Sequence, residues 1–296
     1  MKHCRLMIAV LAILAAGCQI PGRRGPVPRA LATCRQLSQR GIAAAERGRP
    51  QRARELLADA VEACPVDPEA RRHYADALWK CGARTEAITQ QQEAARLASE
   101  DAMLHVRLAE MHLATGKMDL ARRRAEQALD LNPRLPAAWV IRGRVMRADG
   151  KLQQALADFH RALGYAPDDR QVLLEIAELY RQLDQPQRAL SCLHSLADTY
   201  SPGEQPQNVL FLTGLAHMAL QRYEDAAESF SAAVLRDTPT TEIFYRLAEA
   251  ELAAGRPAEA ATAAQQALLL TPGDPASSEL LRRLETARSS EGSLHR

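Results

Sequence analysis

Residues Arg142 to Pro167, RGRVMRADGKLQQALADFHRALGYAP, are echoed 34 residues earlier by LAEMHLATGKMDLARRRAEQALDLNP, Leu108 to Pro133. A fixed period of this length constrains folding more than composition does. Each unit must be one supersecondary piece that cannot bury its apolar face alone, so the core has to arise by stacking neighbours. Stepping by 34 from Cys34 gives units that start at Cys34, Pro68, Ala102, Pro136 and Arg170. After a three-residue insertion two more start at Gln207 and Thr241, and the seventh ends at Asp274.

The recurring positions say what the units do. The eighth is small in every unit: Gly41, Ala75, Ala109, Gly143, Ala177, Gly214 and Ala248. The twentieth is always alanine: Ala53, Ala87, Ala121, Ala155, Ala189, Ala226 and Ala260. Two helices approach closely only where neither side chain is large, so these columns predict a tightly packed helix pair. The twenty-seventh is alanine except at Leu196, where the next unit must pack less closely. Gly48, Gly82, Gly116, Gly150 and Gly255 recur where a left-handed cap would separate the helices, with Asp184 and Gln221 in their place in two units. Pro65, Pro133, Pro167 and Pro272 follow the second helix and stop its continuation.

The pattern resembles the tetratricopeptide repeat, and unit four matches it with Trp139, Gly143, Gly150, Ala155, Phe159, Ala162 and Pro167. The resemblance covers Cys34 to Asp274. It implies an all-α protein, a right-handed α-solenoid of seven helix-turn-helix repeats (34–67, 68–101, 102–135, 136–169, 170–203, 207–240 and 241–274) whose first helices line a concave surface. A polar last helix should cap the final repeat. Residues 275–288, with Leu280, Leu281 and Leu284 on one side, fit that cap, leaving 289–296 as a disordered tail.

The N-terminus decides the compartment. Lys2 and Arg5 precede an apolar run from Leu6 to Ala16, shorter than the ~20 residues of a spanning helix. With Ala15, Ala16 and Gly17 behind it, this is the layout of an exported signal peptide, residues 1–17. Leu14-Ala15-Ala16-Gly17-Cys18 resembles the lipobox of bacterial lipoproteins, although Ala15 stands where leucine is usual. The resemblance implies that Cys18 is acylated and becomes the mature N-terminus. Gln19 after it, in place of Asp, implies the outer membrane facing the periplasm. Residues 18–33 read as a Pro-, Gly- and Arg-rich tether beside a membrane, or equally as a solvated charge cluster.

Charge and motifs exclude other classes. Of 38 basic and 36 acidic residues the signal removes Lys2 and Arg5, leaving a neutral mature chain whose positive charge is local to the Arg-rich stretch 18–45, so we expect no nucleic-acid binding. Gly116-Lys117 and Gly150-Lys151 occupy the turn position, and Leu152 stands where a phosphate loop needs a hydroxyl. His105 and His112, seven apart, fall at packing positions and lack HExxH spacing, so they read as core residues and not as metal ligands. No nucleophile elbow or Cys-x-x-Cys is present. We expect no enzyme, no cofactor and no metal. Cys34 and Cys64 lie at adjoining helix ends, where a disulfide is possible in an oxidising compartment, with free thiols the default.

The second, fifth, ninth and twelfth positions carry what binding information remains. Unit two offers Arg72, Asp76 and Trp79, and unit four Arg144 and Arg147. The set of Lys, Asn and Arg that clamps a chaperone tail in this family is absent, since Ser38 and Ile42 occupy its first two places. Units five to seven offer Arg181, Asn208, Phe211, Leu215, Met218 and Tyr245, an apolar cluster beside charge that reads either as a docking surface or as packing against neighbours. The expected protein is a membrane-anchored scaffold or adaptor whose concave face binds other envelope proteins or peptides, in pilus, polysaccharide-export or outer-membrane assembly. A periplasmic solute- or glycan-binding protein using the same groove is the alternative.

Overall fold

The computed structural model describes residues 29–294, with side chains through Thr286. Among the described residues there are fifteen helices and no strand. Repeat one is α1 (Arg29–Glu46) and α2 (Pro50–Ala63), repeat two α3 (Pro68–Lys80) and α4 (Arg84–Leu97), and repeat three α5 (Ala102–Ala114) and α6 (Met118–Leu131). Repeat four is α7 (Pro136–Ala148) and α8 (Leu152–Tyr165), and repeat five α9 (Arg170–Gln182) and α10 (Pro186–Ala197). Repeat six is α11 (Gln207–Ala219) and α12 (Tyr223–Arg236), repeat seven α13 (Thr241–Ala253) and α14 (Pro257–Leu270), and α15 is Pro275–Leu294. The contacts divide the chain after Ser99, so repeats one and two form one unit and repeats three to seven another.

Both ends of the repeat array are more helical than the sequence predicts. α1 starts at Arg29, inside the expected tether, because Arg29 to Thr33 is proline-free and rich in good helix formers. α15 continues past residue 288 to Leu294, since no proline follows Pro275 to stop it. Cys18, the segment 1–17 and residues 18–28 of the tether lie outside the described residues.

Each helix pair is closed by the same turn. In all seven repeats the sixteenth N–H returns to the eleventh carbonyl, as in Lys117 to His112 at 2.9 Å and Gln185 to Tyr180 at 2.8 Å. That six-to-one bond requires a left-handed residue between. Five glycines supply it, and Asp184 and Gln221 supply it against the steric cost of a Cβ, at φ of 53° and 57°. Entry into the first helix has its own signal in the last residue of the preceding unit. Asp67, Asp101, Asp169 and Thr240 each accept a hydrogen bond from the exposed first-turn amides of the next helix. Each cap is worth about 1 kcal/mol.

The small columns meet large ones. All seven alanines at the twentieth position are buried. A Cβ on Gly143 would sit 2.8 Å from the Phe159 ring, one on Gly214 2.5 Å from the Phe230 ring, and one on Gly41 2.6 Å from Leu57. Glycine at position eight thus coincides with Phe or Leu at position twenty-four, the two volumes compensating across the helix pair. Around Phe159 the core of repeats three to five gathers Val106, Ala128, Ile141, Ala155, Ile176 and Leu179. At the C-terminal end α15 presses Leu280 and Leu284 onto Ala248, Ala260, Ala263 and Ala264.

The thiols of Cys34, Cys64, Cys81 and Cys192 are free. The Cys34 thiol donates to Asp67 Oδ2 at 3.7 Å, while Oδ1 of the same carboxylate caps α3. Burial, and then the negative charge of Asp67, push the Cys34 thiol up to about 11.

Two substitutions test the packing. Gly143→Ala should lower unfolding stability by about 1–3 kcal/mol through overpacking against Phe159, and Gln221→Gly should raise it by up to about 1 kcal/mol by relieving a left-handed Cβ clash. Chemical denaturation of the two variants beside the parent measures both. A neutral Gly143→Ala would contradict the close approach.

Candidate functional site

The first helices of repeats four and five are joined by charge. Arg144 donates from Nε and Nη2 to Glu175 Oε1 at 2.8 and 2.6 Å, and Arg147 reaches Glu178 Oε2 at 3.3 Å. Glu175 is nearly buried, and its second oxygen takes no hydrogen bond, with Arg147 4.0 Å away. These pairs tie α7 to α9 and neutralise the central part of the face, so Arg144 and Arg147 are committed inside the molecule. Within repeat four, Arg142 donates to both oxygens of Asp158 at 2.8 and 2.6 Å. Arg142 and Arg161 also lie over the Trp139 ring, at 4.6 and 4.8 Å from its centroid. The aromatic is held by two cations and by its own N–H bond to the Pro133 carbonyl at 2.8 Å.

In repeat two, Arg72 donates to Glu69 Oε2 at 2.6 Å, and Trp79 lies under the Arg84 guanidinium at 3.9 Å. Asp76 shares a surface depression with Ile42, His73 and Lys80. All three of the expected residues are half-buried.

The C-terminal cluster divides. Phe211, Leu215 and Met218 are half-buried against Ala226, Ala227, Phe230 and Ala250, with the Phe211 and Phe230 rings 5.7 Å apart. Tyr245 packs instead toward the core capped by α15, and its hydroxyl donates to Glu249 at 2.8 Å. Arg181 and Asn208 are exposed and pair with no described side chain. Arg181 also borders a cleft between repeats five and six, formed with Ala177, Leu193, Leu212 and Ala216, at the junction where Leu196 replaces alanine. The cleft has a volume of about 30 Å³, small against the several hundred of a small-molecule pocket.

The ion pairs were missed at the level of sequence because Glu175 sits at the sixth position, which alone looks like core. The signal was an offset: Arg144 to Glu175 and Arg147 to Glu178 are each 31 residues apart, so the charges recur out of register with the repeat by three.

His105 and His112 are buried, as expected of core residues. His73, His112, His160 and His217 are all held below the usual histidine value, burial being the largest cause in each. Like charge adds to it from Arg72 at His73, from Lys117 and Arg124 at His112, and from Arg188 at His160, while Asp225 opposes it at His217.

This is a helical-repeat protein. Its sequence matches the tetratricopeptide repeat over residues 38–102, 106–155 and 211–277, and a second tetratricopeptide repeat family over 146–210. The chain belongs to the tetratricopeptide repeat family. No curated protein matches it. It is similar in fold to a tetratricopeptide repeat protein of Parabacteroides merdae, at 16% identity over 86% of this chain and 99% of that one, with a TM-score of 0.60. YrrB, described as having an unusual peptide-binding site, is similar at 17% identity over 64% of this chain and 96% of its own, TM-score 0.58. Pseudomonas aeruginosa pilF aligns at 16% identity over 86% of this chain and 100% of its own, TM-score 0.53. Tetratricopeptide repeats are in general non-enzymatic scaffolds that bind peptides or proteins.

The electrostatics generate two expectations. Arg144→Ala strands a nearly buried carboxylate and should cost about 2–3 kcal/mol, more than Arg147→Ala, because an unpaired buried charge is worse than a lost contact. Denaturant titration ranks the two. The folded histidines are harder to protonate than the unfolded ones near 6.5, so the unfolded chain takes up the extra protons. Stability should therefore be full well above that value and fall as pH drops through it toward the lower folded values. A thermal midpoint that rose over the same interval would contradict the buried neutral rings.

Proposed function

We propose that the protein is a lipid-anchored scaffold of the bacterial cell envelope that holds a polypeptide partner on the first-helix face of repeats five to seven. The observation that carries this is the contrast along that face. Repeat four spends its arginines on Glu175 and Glu178, whereas Arg181 of repeat five and Asn208 of repeat six stay exposed, on the same run of first helices as the half-exposed Phe211, Leu215 and Met218. An exposed cation and half-exposed apolar and aromatic side chains on successive first helices are the residue types of a peptide hot spot. The cleft beside Arg181 is small beside an ordinary small-molecule pocket, which favours a polypeptide lying across the face over a solute or glycan held within it. The apolar residues contribute only their exposed edges, because their inner surfaces pack on Phe230 and its neighbours.

The anchor rests on the N-terminal pattern: a short apolar run, small residues and Cys18, with Gln19 favouring the outer membrane. Multiple acyl chains on one cysteine hold a protein stably at a membrane where one chain holds it only marginally.

A photo-crosslinking residue in place of Asn208 should yield an adduct with a discrete envelope polypeptide, and one in place of Arg123, exposed on a second helix, should not. Arg181→Glu should lower recovery of that polypeptide at least about fivefold. Adducts from position 123 alone would move the site off this face. Mass spectrometry should find lipid on Cys18, and Cys18→Ser should release the protein from membranes; an unmodified Cys18 would remove the anchor while leaving the binding face standing.

A further inference from the structure

Charge is distributed along this chain with a strong polarity. Residues 29–54 hold seven arginines and a single acid, Glu46. The whole chain nets +2 and the leader before Arg29 contributes four cations, so everything after Arg54 nets eight negative. The positive pole belongs to repeat one, and the fold concentrates it. Arg40 in the C-terminal half of α1, Arg47 and Arg49 in the turn and Arg52 at the start of α2 surround one surface depression with Leu56 at its side. All four guanidinium groups are on exposed residues, and only Arg52 has an acidic partner, Glu55 at 2.7 Å. No described side chain pairs with Arg40, Arg47 or Arg49. The N-terminus of α2 ends in the same place: Arg49 is its N-cap and makes no side-chain capping bond, so the helix dipole adds to the arginines there.

We infer that this face of repeat one docks on an anionic phospholipid surface. Cations clustered this closely repel one another, and within one protein they are stable only because water or a counter-anion screens them. A membrane leaflet carrying anionic headgroups supplies such a layer, and each arginine brought within a Debye length of it is worth about fivefold in partitioning. The chain length fits. If Cys18 is acylated, eleven peptide steps separate the anchor from Arg29, which confines the start of repeat one to within roughly 40 Å of the headgroups. Acylation would then hold the protein at the leaflet while the arginines turn this face of repeat one toward it. This orientation rests on the anchor proposed above, but the docking face does not.

The test uses the mature chain with Cys18→Ser, so that no acyl group contributes, and co-sedimentation with vesicles. Expected is binding to vesicles of equal parts phosphatidylcholine and phosphatidylglycerol, none to phosphatidylcholine alone, and release by high salt. Arg40→Gln, Arg47→Gln and Arg49→Gln together should reduce binding more than tenfold with an unchanged circular dichroism spectrum. The matched loss of three exposed arginines elsewhere, Arg123→Gln, Arg134→Gln and Arg222→Gln, should change it less than threefold. Failure to bind phosphatidylglycerol vesicles, equal loss in the two triple variants, or binding only to a soluble polyanion such as heparin would each overturn the proposal. None of these outcomes depends on whether Cys18 carries lipid, which its own mass measurement decides.

Discussion

Everything in this molecule depends on how closely two helices approach within a repeat. The approach is set by one small residue on each helix, the eighth and the twentieth, and by the side chain at the twenty-fourth that fills the space between them. Glycine at 143 and 214 lets Phe159 and Phe230 lie against the opposite backbone, and those rings are the largest fully buried side chains. Where the eighth residue is alanine, the twenty-fourth is Gln91, Ala125, Leu193 or Ala264. Repeats therefore fill the space within a helix pair by different volume combinations, which explains why the chain is rich in alanine without being uniform.

Ion pairs organise what the packing leaves outside. On repeats four and five they are internal, and the nearly buried Glu175 shows that their role is to join successive first helices. Such pairs stabilise little against an apolar alternative, yet breaking one is costly because a charge is stranded. Their consequence for binding is subtractive. A face whose charges are already satisfied has less to offer a partner, and this shifts attention to the stretch where Arg181 and Asn208 remain open.

The two proposals concern opposite ends of the chain and divide the work between them. Repeat one, basic and close in sequence to Cys18, has the chemistry of a surface that meets a membrane. Repeats five to seven have the chemistry of a surface that meets a polypeptide. On these two proposals, the lipid on Cys18 would set where the protein resides and the arginines of repeat one which of its faces meets the membrane.

The sequence by itself determined the period, the register, the helix-turn-helix unit and the small-residue columns. All of these are local or repeat at a fixed offset, so seven copies make each one visible. It also held the N-cap column ending in Asp67, Asp101, Asp169 and Thr240, legible once the register is known. Only the tertiary structure decided which polar residues are already committed. Arg144 and Glu175 meet because α7 and α9 come together across an intervening helix, a distance that no single-unit pattern encodes. It likewise separated Arg181 from Phe211 and Tyr245, which share one periodic face in sequence but pack against three different neighbourhoods. A side chain's position in the period tells which way it points, and the volume of what lies opposite tells whether it remains available.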